Sequence, residues 1–202
     1  RWDELILGLT HYPNKHAENL VIESGITSIG NNAFNGLKGI KKVTIPESVK
    51  TIGDSAFEGC SALTSVKIPS GVTVINNDTF YGCSSLESLV LPSSLTFIGE
   101  AAFQGTNITS IELPASVTKI GYCAFSYNTT ILTCKSPTPP TLLSSTGTGQ
   151  PSLQNISIVY VPDGCTKAYK SVNPWASAVV VDGNGVSVSV NVTPGMLGEE
   201  IL

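Results

Sequence analysis

The sequence predicts a solenoid: a coil of short stacked turns with one parallel β-sheet face, mostly β and irregular structure, and few short helices. Three observations carry this reading. Phe34, Phe57, Phe80 and Phe103 lie 23 residues apart, and Phe125 follows after 22. Ile29, Ile52, Ile75, Ile98 and Ile120 keep the same intervals. Pro46, Pro69, Pro92 and Pro114 recur in that rhythm, with the single shortening falling between the last two. A period in the low twenties marks architectures in which each unit buries its apolar face only against its neighbours.

Taken in order, residues 1–18 fall outside the period and are expected to cap the first turn. Leu5, Leu7 and Leu9 alternate there as in a short strand. His11, His16 and Glu18 could in principle hold a metal, but Pro13 and Asn14 break any helix. The spacing of the two histidines does not place both rings on one helical face either, so a polar loop is expected and no metal site.

The repeats run over residues 19–137. Their strand triplets are 20–22, 43–45, 66–68, 89–91, 111–113 and 132–134. Side chains alternate along a strand, so the outer two of each triplet point inward and the middle one outward. The inward columns, Leu20/Val43/Val66/Leu89/Ile111/Leu132 and Ile22/Ile45/Ile68/Leu91/Leu113/Cys134, are apolar throughout. Proline then ends the strand, because it has no amide to extend the ladder. Gly30, Gly53, Gly99 and Gly121 share a column with Asn76, and these residue types predict a tight corner of positive φ there. Each unit next buries a Phe, worth roughly 2–3 kcal/mol. Gly36, Gly59, Gly82 and Gly105 mark a second corner, and the one-residue deletion follows Gly105.

Residues 138–157, rich in Pro, Ser, Thr and Gly, read as an exposed excursion; the GTG within it is too short for a phosphate loop. Residues 158–181 form the last coil and a C-terminal cap. The coil resumes at Val159-Tyr160-Val161, Asp163–Ser171 reads as a short helix, and Trp175 with Val179–Val181 closes the end. Residues 182–202 hold a turn at Asp182–Gly185 and an alternating strand from Val186 to Val192. They are expected to be a tail strand or the start of a further module.

Composition narrows the function. The 11 Lys and Arg are scattered and the formal charge is −4, so the basic stripe of a nucleic-acid binder is missing. No apolar run reaches the ~18–20 residues that cross a bilayer as a helix. The chain begins Arg1-Trp2-Asp3, without Met or leader, as a mature or trimmed polypeptide would. Five cysteines show no CxxC and no zinc spacing. Cys60 and Cys83 share a column with Leu37, which reads as packed interior. Stacked neighbours at ~4.8 Å satisfy the Cα range of a disulfide, but their parallel Cβ atoms stand too far apart. Buried thiols are therefore expected.

The motif IGxxAFxGCxxLxxVxIPxSVxxI, in register over residues 20–137, resembles the BspA-like leucine-rich repeat of bacterial surface proteins. The close, TCKSPTPPTL followed by VYVPDGCTKAYKSVNPW, is similar to the terminal segment of such proteins from gut Bacteroidetes. The resemblance implies a right-handed, curved leucine-rich-repeat solenoid, export to the cell surface or beyond, and a role in adhesion or recognition. Asp54-Ser55-Ala56 matches a short O-glycosylation signal of those bacteria, although a plain corner is the preferred reading.

Nothing in the sequence assembles a catalytic set. The histidines sit only in the N-terminal loop, no GxSxG elbow occurs, and Glu87 and Glu112 are offset by three positions on a solvated face. Neither enzyme activity nor a cofactor is expected. Binding through the sheet face remains, and its outward column is Val21, Thr44, Lys67, Val90, Glu112, Thr133 and Tyr160. Asn19, Lys42, Ser65, Ser88 and Ser110 run beside it, continued by Ile131 and Ile158. Seven strands would span ~29 Å. Lys42, Thr44, Lys67, Val90, Glu112, Thr133 and Tyr160 are the candidate contacts for a host or bacterial surface protein or a glycan. Tyr81, Tyr127 and the 136–155 loop compete with them. The alternative is a spacer within a larger surface protein, its Ser/Thr face merely solubilising. Substitutions such as Lys67→Glu or Tyr160→Ala separate the two readings.

Overall fold

The computed structural model describes residues 18–144, 153 and 155–183. The expected cap up to residue 17, with His11 and His16, and the tail strand Val186–Val192 lie outside them. The period becomes about seven stacked turns with very little helix. The first turn supplies β1 (Asn19–Val21) and β2 (Ser28–Ile29), and the second β3 (Lys42–Thr44) and β4 (Thr51–Ile52). The third and fourth supply β5 (Ser65–Lys67), β6 (Val74–Ile75), β7 (Ser88–Val90) and β8 (Phe97–Ile98). The fifth and sixth supply β9 (Ser110–Leu113), β10 (Lys119–Ile120), β11 (Ile131–Cys134) and β12 (Thr141–Leu142). The seventh begins with β13 (Ile158–Val161) and passes through helix α1 (Thr166–Lys170) and a 3-10 turn, Trp175–Ser177, to β14 (Val179–Asp182).

All strand pairing is parallel, and two walls form rather than the single sheet face expected. On one wall β1-β3-β5-β7 and β9-β11-β13-β14 make two four-stranded sheets; on the other, β2 pairs with β4 and β6-β8-β10-β12 form a third. Each wall thus has one break, and each break coincides with a departure from the repeat. Between β7 and β9 the connecting turn is one residue short, so β9 does not meet β7 in register. Between β4 and β6 the cause is Asn76, which occupies the glycine column. Gly53, Gly99 and Gly121 donate their amides to Ile29, Ile75 and Ile98 of the preceding turn at 2.9, 2.7 and 2.7 Å. A Cβ on Gly99 would lie 2.6 Å from the carbonyl carbon of Asn76, closer than side chains tolerate. Asn76 cannot approach so closely, and its side-chain amide instead reaches the Ile52 carbonyl at 2.6 Å.

This corrects the expected corner. Gly53, Gly99 and Gly121 are there for close approach, not for positive φ. The left-handed residues come two positions later: Asn32, Ser55, Asp78, Ala101 and Cys123, with φ between 49° and 58°. At all but Cys123 the strain, of order 1 kcal/mol or more each, is offset by a hydrogen bond to the next turn. Ser55, Asp78 and Ala101 donate to the carbonyls of Asn77, Glu100 and Tyr122 at 2.9, 2.9 and 3.0 Å. An Asx ladder runs alongside: Asn31, Asp54 and Asn77 accept from the amides of Asp54, Asn77 and Glu100 at 2.9, 3.1 and 2.9 Å. Ser55 therefore stands at a hydrogen-bonded corner, as the plain reading of Asp54-Ser55-Ala56 had it. The second corner is as expected, with Gly36, Gly59, Gly82 and Gly105 at φ of 68° to 74°.

The core is a column of stacked layers. Phe34, Phe57, Phe80 and Phe103 stack at 5.3, 5.5 and 5.8 Å between centroids. Phe125, set one residue short of the period, is only half-buried, and among the described residues no following turn stacks a ring on it. Of the two inward strand columns, Leu89, Ile22 and Ile45 are half-buried and the remainder buried. Cys60 and Cys83 are free thiols, which donate to the carbonyls of Phe34 and Phe57 at 3.2 and 3.1 Å. Burial pushes their pKa values up to about 11 and about 12, and that of Cys134 up to about 12.

The repeat runs further than residue 137, because β12 pairs with β10 (Lys119↔Thr141, Ile120↔Leu142). Residues 138–142 thus belong to the coil rather than to the expected excursion. The C-terminal elements clamp this stretch. The Tyr169 hydroxyl donates to the carbonyls of Ser136 and Thr138 at 3.0 and 3.2 Å, and the Trp175 indole to that of Pro140 at 3.0 Å. The two rings meet edge-on at 5.3 Å, which seals the layer.

Candidate binding surface

The outward column is assembled by pairing register. Val21 stands opposite Thr44, Lys67 opposite Val90, and Glu112, Thr133, Tyr160 and Val181 follow one another across β9, β11, β13 and β14. Beside it run Asn19, Lys42, Ser65 and Ser88, then Ser110, Ile131, Ile158 and Val179. Thr44, Lys67, Val90, Glu112 and Lys42 are exposed, while Thr133 and Tyr160 are half-buried. The predicted residues thus share one wall. They are not one continuous platform, because the break between β7 and β9 separates Val90 from Glu112.

Chemistry changes at that break. The N-terminal half presents Asn19, Lys42, Ser65, Ser88, Thr44 and Lys67, with Val21 and Val90 as isolated apolar positions. On β11, β13 and β14 the neighbouring row becomes Ile131, Ile158 and Val179, and the outward column ends in Tyr160 and Val181. Val90 and Val179 are 72% and 63% exposed, and no described side chain covers them. The signal for this apolar end was the replacement of the strand-leading serine by Ile and Val in ILTC, IVYV and VVVD. β14 adds a strand beyond the seven expected.

Two of the three charged candidates are already engaged. Lys67 pairs with Glu47 at 2.9 Å, and Glu112 with Lys135 at 3.2 Å. Beside this wall Lys41 pairs with Glu18 at 2.6 Å. Glu47 also accepts from the Ser70 amide and hydroxyl, each at 2.9 Å. The Lys67 hydrogen bond and then these two lower its pKa from 4.5 to about 2. Exposed ion pairs contribute only ~0–1 kcal/mol, so they orient side chains more than they stabilise the coil. Glu47 and Lys135 escaped the sequence reading because neither shares a column with its partner. Among the described residues no group of three His, Cys, Asp or Glu is placed to hold a metal ion. No helix there is long and apolar enough to cross a membrane.

A stack of short parallel strands with an inward Leu/Val/Ile column, a Phe ladder and one outward strand face defines a leucine-rich-repeat solenoid. The chain belongs to the family described as BspA type leucine rich repeat region, whose model matches residues 7–132 in six copies. Solved structures agree. A leucine-rich repeat protein from Bacteroides ovatus is similar at 23% identity and TM-score 0.62, over 82% of this chain and 43% of its own. The T. pallidum leucine rich repeat protein is similar at 31% identity and TM-score 0.56, over 60% of each chain. The pneumococcal vaccine antigen PcpA shares the fold at 18% identity and TM-score 0.68, over 86% of this chain and 43% of its own. The chain thus spans less than two thirds of the length of these relatives. No curated protein matches the sequence significantly. Leucine-rich-repeat folds commonly mediate binding and are generally non-enzymatic.

Proposed function

We propose that this chain is an exported, non-catalytic recognition module that holds a protein on a host or bacterial surface through its strand wall. The observation that carries the reading is the apolar end of that wall. Ile131, Ile158, Tyr160, Val179 and Val181 stand on three strands paired residue for residue. Binding hot spots favour aromatic anchors on well-ordered elements, and Tyr160 is the one aromatic residue in the outward column. Membership of a family of bacterial repeat proteins supports placement at the cell surface.

The test is binding of the purified chain to an array of host matrix proteins, run beside Tyr160→Ala and Val181→Asp, with circular dichroism to check the fold. Saturable capture by the parent, weakened in both variants, is the expected result. Capture that both variants retain would remove the apolar end from the interface. A second reading, a spacer without its own ligand, draws support from the N-terminal half of the wall, where hydroxyls predominate and Lys67 is neutralised within the chain. An array without a single saturable hit would favour it.

A further inference from the structure

One concave feature lies away from the strand wall. After β10 the chain turns through Cys123, Phe125 and Ser126, and Leu153, Asn155 and Ile156 return beside it before β13. Gln104, Ser126, Tyr127, Leu153, Asn155 and Ile156 line the cleft between them. The half-buried Phe125, on which no ring of the described residues stacks from the following turn, also borders it. Its volume is about 30 Å³, room for a water or a single hydroxymethyl group rather than a whole ring.

The lining is neutral. Gln104 and Asn155 are half-buried and each brings an amide with two donors and an acceptor. Ser126 is occupied, donating to the Thr106 carbonyl at 2.7 Å and accepting from the Asn128 amide at 3.4 Å, so it fixes the turn. Tyr127, next along the chain, is 65% exposed and offers a free aromatic surface at the rim. A charged ligand would find no counter-ion among the lining side chains. An apolar one would leave both amides without partners, a cost of ~1–3 kcal/mol apiece. A neutral, hydroxyl-rich ring satisfies both demands, because its hydroxyls exchange hydrogen bonds with amides and its C–H face lies against an aromatic ring.

We infer that this cleft is a carbohydrate subsite, which takes one hydroxymethyl or hydroxyl group of a neutral sugar between Gln104 and Asn155 while the ring rests on Tyr127. The inference does not depend on the strand wall, and the experiment keeps the two apart. The full chain is titrated with the methyl glycosides of glucose, galactose, mannose, fucose and N-acetylglucosamine, followed by saturation-transfer NMR and calorimetry. At least one is expected to bind saturably. Tyr127→Ala and Gln104→Ala, both with an unchanged melting temperature, should each weaken it by about tenfold or more, and Tyr160→Ala should leave it unchanged. Absence of saturable binding by all five glycosides, or affinity that survives Tyr127→Ala, would overturn the assignment. So would equal loss in Tyr160→Ala.

Discussion

Replacing Phe80 by Ala tests whether the ring column is what holds successive turns together. Phe80 is fully buried, with Phe57 and Phe103 at 5.5 and 5.8 Å and nearly parallel to both. Truncation removes on the order of 100–150 Å² of apolar surface from the core, or ~3 kcal/mol at ~25 cal/mol per Å². The residual cavity brings such changes to ~3–5 kcal/mol. Phe103 is an internal control, since it is equally buried but stacks on one ring only. Each aromatic contact is worth about 0.5–1.5 kcal/mol beyond burial, so Phe80→Ala should exceed Phe103→Ala by that amount. Urea unfolding followed by circular dichroism measures both, at constant slope. If Phe103→Ala proves as costly as Phe80→Ala, or if Phe80→Ala costs less than ~2 kcal/mol, the rings are filler and the column argument fails.

Two further predictions concern ionisable groups. At pH 8 iodoacetamide should modify the half-buried Cys123 and Cys165 first, leaving Cys60, Cys83 and Cys134 unlabelled until the chain is unfolded. Burial holds their pKa values near 11, 12 and 12, and only the thiolate reacts; mass spectrometry showing equal labelling of all five in the native protein would contradict the packing. For Glu47 the folded pKa lies below the ordinary 4.5, so its favourable contribution is complete above that value and is lost as pH falls through about 2. NMR titration of Lys67→Ala should move the Glu47 midpoint upward toward 4.5, and an unmoved midpoint would mean that Lys67 is not its main partner.

The repeat made the inward columns legible, because a position that must pack against its own copy above and below accepts few residue types. The outward column followed from alternation. What escaped was set by contacts between unlike positions. Glycine at 53, 99 and 121 looked like a conformational requirement and is a requirement for space, since the preceding turn's backbone passes where a Cβ would be. The left-handed corner was hidden for the converse reason. Asn32, Ser55, Asp78, Ala101 and Cys123 have no side-chain type in common, and at the first four a hydrogen bond to the stacked turn holds the backbone whatever residue is there. The ion pairs on the strand wall were also illegible, because Glu47 reaches Lys67 from a turn between strands.

The departure from the repeat after Gly105 explains why the strand wall is not one uniform platform. A missing residue after Gly105 costs the coil a set of ladder hydrogen bonds between β7 and β9, and the ring column ends at the same point, since Phe103 stacks on Phe80 before it and not on Phe125 beyond it. The shortened turn thus interrupts this wall and the ring column together, while the opposite wall continues through β8 and β10. Beyond the break, register is restored over β9, β11, β13 and β14, and there the serine row becomes Ile131, Ile158 and Val179. Exposed Ser and Thr shed water at little gain, whereas exposed Val gains ~25 cal/mol per Å² when a partner covers it, at Val21 and Val90 before the break as at Val179 and Val181 beyond it. The paired charges of the N-terminal half can set orientation and encounter rate but contribute little to hold.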